Sequence, residues 1–260
     1  MDTNWKMKIQ VYDPSGLVLS LSGIVLGVLL AVAEYKVAWG VASVLILTAA
    51  LMHIYMQTEN KWWMAASVAG AVLTVYLSYA TLFKLESLIL LLFAYFIIRL
   101  AKGIGGRGRV SDGVLNCFLK GPVALIGAYF VCTHSFPFWF FLFPSLSVGL
   151  LCVAADGMAD NYGKVLTNLL IYIGIALMAT YSCLRIFVPA HFLFLITIPG
   201  FICITVRMYM KKELDPASCR SLLALCTFLF AVLTGLKSLP VCSFIANTRI
   251  LKLSDIESLS

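Results

Sequence analysis

The chain predicts an all-α, polytopic membrane protein, and three observations carry that expectation. Of 260 residues, 62% are hydrophobic and only 12% are charged, whereas a soluble domain carries roughly 25% charged residues. The mean hydropathy is +0.98. The apolar residues gather into nine runs near the roughly 17–25 residues that a bilayer-spanning helix needs. Lysine and arginine then fall unevenly on the two sides that nine spans define.

Taken in order, a polar start with Lys6 and Lys8 leads into runs at 16–33, 38–57, 63–82, 87–101, 117–132, 136–155, 165–184, 186–208 and 221–239. No small-residue cleavage site follows the first run, so it reads as a retained span. The second run ends in a polar face, with His53, Gln57 and Asn60 at helical spacing and Glu59 beside them. A plain interfacial helix end has the same look. Trp62 and Trp63 open the third run as interface anchors. The loop from Lys102 to Asn116 holds five glycines with Arg107 and Arg109, which makes it either a linker or a basic flap over an anionic headgroup. Pro189 and Pro199 fall in the eighth run, where they predict a kink. The prediction is one nine-helix domain over 1–239 and a tail over 240–260.

With the N-terminus inside, thirteen of the nineteen Lys and Arg residues lie on the inner side and six on the outer. The expected topology is therefore N-terminus cytoplasmic and C-terminus outside. The formal charge of +7 is spread over short loops, so it points to the bilayer and away from nucleic acid. Eight cysteines stand singly, with no zinc spacing, and read as small packing residues. No evident internal repeat of the transporter kind is present.

The chemistry concentrates between Cys152 and Asn168. Asp156 and Asp160 stand four apart, which places them on one face of a continuing helix, and Gly163-Lys164 follow. Mg²⁺ is usually held by one or two carboxylates together with substrate phosphates, so a diphosphate substrate is one reading. A solvated turn between two membrane helices is the other.

The run GPVALIGAYFVCTHSF from Gly121, the D-x-x-x-D pair and the Gly163-Lys164 segment resemble the UbiA superfamily of intramembrane prenyltransferases, closest to its menaquinone branch, the dihydroxynaphthoate polyprenyltransferases. The opening DPSGLVLSLSGIVLGVLLA resembles the family's first span. The resemblance implies a UbiA-like bundle and makes Asp156 and Asp160 the carboxylates that hold Mg²⁺ and the diphosphate of a polyprenyl donor. Candidate diphosphate contacts beside that pair are Lys164, Arg107 and Arg109, and His53, Gln57, Glu59 and Asn60 at or near the place where the family's first aspartate motif is expected. That motif is missing here, since MHIYMQ occupies Met52 to Gln57.

Two functions follow from the resemblance. One is a divergent, Mg²⁺-dependent prenyltransferase moving a polyprenyl chain from its diphosphate to an aromatic or other lipid-soluble acceptor. The other is a retired member of the fold that binds an isoprenoid, quinone or lipid, or serves with a protein partner in a membrane complex. A bacterial inner membrane is the expected location.

Overall fold

The computed structural model describes residues 14–34, 39–58, 61–82, 109–133, 135, 141–159, 164–184, 194–210 and 216–236. Among them every regular element is helical, and no strand occurs. The helices are α1 (Pro14–Glu34), α2 (Trp39–Thr58), α3 (Lys61–Leu82), α4 (Arg109–Phe118), α5 (Ala124–Thr133), α6 (Leu142–Ala159), α7 (Lys164–Leu184), α8 (Ile198–Met210) and α9 (Pro216–Leu236). A π-turn over Leu119–Val123 joins α4 to α5 without a break.

Among the described residues, five segments are long and apolar enough to cross a membrane: Pro14–Val32, Lys61–Ala80, Gly113–Thr133, Lys164–Leu184 and Ser218–Gly235. Shorter apolar helices cover Trp39–Tyr55, Leu142–Met158 and Phe194–Met208. Most are apolar on all sides, the pattern of a helix surrounded by protein or lipid. Several of their hydroxyls are satisfied within the helix. Ser22, Thr48, Thr74, Thr227 and Thr234 each donate to the carbonyl four residues back, so none is left unpaired where water is absent.

Helix α1 is the hub, packing on α2, α5, α6 and α9. Its approach to α5 is set by small residues. A Cβ on Gly23 would stand 2.4 Å from the Lys120 carbonyl oxygen and 3.0 Å from the Ala124 Cβ. A Cβ on Gly27 would stand 2.3 Å from the Leu125 carbonyl oxygen. Backbones this close need glycine, and in a membrane close van der Waals packing is the main force between helices. The order of these contacts runs the same way along both helices, so α1 and α5 are parallel. Thr48 against Gly70 makes α2 and α3 antiparallel, and Gly174 against Ser147 and Leu151 does the same for α6 and α7.

Two sequence expectations change in detail. The segment expected as a loop over 102–116 is helical from Arg109, and Cys117 near the end of α4 is buried. The eighth run is not one regular helix, passing from a 3₁₀ turn over 194–197 to an α-helix just before Pro199. That proline sits in the first turn of α8, where a missing N–H costs nothing. The fourth run at 87–101, the start of the eighth and the tail over 240–260 lie outside the described residues.

Candidate functional site

The helix directions bring most of the polar side chains to one end of the bundle. The N-terminal halves of α1, α4 and α9, the C-terminal ends of α2 and α6, and the start of α7 meet there. That end carries Ser20, His53, Gln57, Asn116, Lys120, Asp156, Lys164 and Arg220.

A cavity of about 420 Å³ opens at this end between α1, α2, α3 and the α4–α5 rod. Its deep part is apolar, with Ile24, Leu45, Val68, Ala128 and Val131 in the wall. Its polar lining at the mouth comes from Ser20, His53, Gln57, Asn116 and Lys120. An apolar chamber with a few convergent polar groups is the usual form of a small-molecule site.

On the α2 side the mouth carries a short relay. The Gln57 amide Nε2 donates to His53 Nε2 at 2.9 Å. That occupies the lone pair on Nε2 and leaves the ring proton on Nδ1, which donates to Ser20 Oγ at 2.9 Å. The imidazole in this arrangement is neutral and fixed in one tautomer.

On the opposite side stands Lys120, within the π-turn. Pro122 supplies the reason for that turn. It has no N–H to give, and the chain passes it with the Ala124 N–H reaching both Gly121 O and Leu119 O. π-turns of this sort recur at functional sites. A Cβ on Gly121 would stand 2.3 Å from the Ser145 carbonyl oxygen, so the turn lies hard against α6. Lys120 Nζ then donates to Asp156 Oδ2 at 2.5 Å. Arg220 on α9 donates to the other oxygen, Oδ1, at 3.1 Å. The three side chains are 18–21% exposed.

The predicted site residues divide as follows. His53 and Gln57 line the cavity. Asp156 stands behind Lys120 in the last turn of α6 and joins α4–α5 to α9. Lys164 begins α7 and is exposed. Of Arg109 only the backbone, at the start of α4, is described, while Glu59, Asn60, Arg107 and Asp160 lie outside the described residues. Among the described residues no group of three or more His, Cys, Asp or Glu is placed to hold a metal ion.

Sequence reasoning missed Lys120, Arg220, Asn116 and Ser20. A signal for Lys120 existed, since it falls inside the predicted span 117–132, and an ionisable residue within a span is functional by default. Near the same end, Thr167 and Asn168 are buried, and Thr167 Oγ1 and both Asn168 amide atoms have no hydrogen-bond partner among the described residues.

The chain matches no family model, no curated protein and no solved structure.

Proposed function

We propose that this chain is an integral membrane protein that binds an isoprenoid, quinone or similar lipid, tail inward, in the cavity between α1, α2, α3 and α5. One observation carries the reading: a largely apolar chamber of about 420 Å³ with Ser20, His53, Gln57, Asn116 and Lys120 gathered toward one end of its lining. That shape fits an oxygen-bearing headgroup on a hydrocarbon chain. The proposal includes a nine-span UbiA-like bundle in a bacterial inner membrane, with the polar end and the N-terminus cytoplasmic. Service as a subunit beside a protein partner is compatible with it.

The test is equilibrium binding of farnesol to the purified full chain in a neutral detergent. Saturable binding is expected, and Ala71→Phe and Ala49→Phe, which place a ring in the chamber from α3 and α2, are expected to weaken it about tenfold or more. No saturable binding by the unaltered chain overturns the reading.

A second reading is transfer of a polyprenyl chain from its diphosphate to an aromatic acceptor, with Mg²⁺ at Asp156 and Asp160. What favours it is the place of Asp156, one side chain away from the cavity mouth. As arranged, Asp156 does not fit the metal, because both its oxygens already accept from cations and Mg²⁺ requires oxygen ligands in an octahedral shell. Transfer thus requires Asp156 to leave Lys120 and Arg220. Mg²⁺-dependent pyrophosphate release, abolished by Asp156→Asn, is the outcome that would establish it.

A further inference from the structure

We infer that the cavity mouth is a metal-independent site for a lipid with an anionic oxygen headgroup, contacted by Lys120, with Asp156 and Arg220 positioning that lysine. The inference rests on the lipid-binding reading of the cavity and names its headgroup.

Lys120 is the one cationic residue in the described lining, and that lining contains no carboxylate. An ammonium has three N–H donors. One is given to Asp156, and the other two meet no acceptor among the described residues. Asp156 does not spend its whole charge on Lys120, since Arg220 holds its second oxygen. The lysine is therefore oriented by a carboxylate that only partly offsets it. At 18% side-chain exposure the remaining field is much less screened than at an open surface. Asn116 and Gln57 add neutral amide groups to the same mouth. A phosphate or carboxylate at the end of a hydrocarbon chain meets both needs, with its charge at Lys120 and its tail among Ile24, Leu45 and Val131. In this arrangement Asp156 competes with the headgroup for Lys120. In a metal-centred site it would recruit the headgroup. The two schemes give opposite signs for the loss of its charge.

The experiment is calorimetric titration of the purified full chain, in neutral detergent with EDTA, by three ligands sharing one tail: farnesol, farnesoate and farnesyl monophosphate. Both anions are expected to bind about tenfold or more tighter than the alcohol, and EDTA is expected to change nothing. Lys120→Met should bring the three to within about threefold of one another, chiefly by weakening the two anions, and Lys120→Arg should restore most of the preference. Asp156→Asn should leave anion affinity equal or tighter. Equal binding of alcohol and anions by the unaltered chain, binding that needs a divalent cation, or an Asp156→Asn protein that holds the anions more than about threefold less tightly overturns the inference. Failure of all three ligands overturns the cavity reading instead. Either order of the two anions supports the inference, and that order identifies phosphate or carboxylate as the preferred head.

Discussion

Asp156 ties the π-turn to α9 through one carboxylate, so its removal costs more than the removal of either partner. With Asp156→Ala, Lys120 and Arg220 both lose a charged acceptor, whereas Lys120→Ala leaves Asp156 still paired with Arg220. Breaking a fully buried pair costs about 3–5 kcal/mol and an exposed one about 0–1. These side chains are 18–21% exposed, and about 1–3 kcal/mol is expected for Asp156→Ala, with a smaller loss for Lys120→Ala. Thermal unfolding in detergent ranks the two, and equal midpoints would show that Arg220 contributes nothing. The opposite sign is expected at Asn168. Its amide is buried without a partner among the described residues, which costs about 1–3 kcal/mol, so Asn168→Leu should raise the midpoint of the empty protein. A lower midpoint would mean that the amide is satisfied in solution. The sequence pointed to Asp156 through its spacing from Asp160. It did not show that Lys120, thirty-six positions earlier, takes one of its oxygens, because pairing across helices leaves no local pattern.

Helix boundaries were largely legible, since runs of apolar residues must become helices wherever water cannot satisfy the backbone. The first, second, third and seventh predicted runs each end within two residues of α1, α2, α3 and α7. What the pattern concealed was the junction of α4 and α5. Hydropathy sees a basic, glycine-rich loop followed by a span. The chain forms one continuous rod from Arg109 to Thr133, whose π-turn is legible only in hindsight from Lys120-Gly121-Pro122. Small residues on α1 carried a second hidden message, the closeness of α5. Gly27→Leu forces a side chain onto the Leu125 carbonyl oxygen, 2.3 Å from where its Cβ must be, and overpacking of this kind costs about 1–3 kcal/mol or more. Gly40 on α2 has nothing among the described residues within 4 Å of its Cβ position. Gly40→Ala should therefore stabilise, by about 0.5–1 kcal/mol. Unfolding midpoints for the two variants should move in opposite directions, and a neutral Gly27→Leu would refute the close approach of α1 and α5.

At the scale of the molecule, topology follows from charge and can be tested against it. The inner side was expected to hold Lys61, Lys120, Lys164 and Arg220, drawn from four different runs. In the bundle these positions share an end. Arg220 and Lys120 meet at Asp156, Lys164 starts the helix antiparallel to α6, and Lys61 starts the helix antiparallel to α2 beyond Gln57. Charge asymmetry and helix direction were independent sources, because Lys and Arg placement reflects insertion whereas helix direction follows from packing. On the proposed topology the cavity opens toward the side with more positive charge. Trp39 and Leu184, exposed at the opposite ends of α2 and α7, mark the other face. In a background whose native cysteines are replaced, Lys61→Cys and Lys164→Cys should react with a membrane-impermeant maleimide only in inside-out vesicles. Trp39→Cys and Leu184→Cys should react only in right-side-out ones. Labelling of Lys61→Cys and Lys164→Cys from opposite sides would break the shared end apart and with it the cavity mouth. Labelling of both from the outer side would keep the bundle but invert it, so that the lipid headgroup would enter from outside the cell.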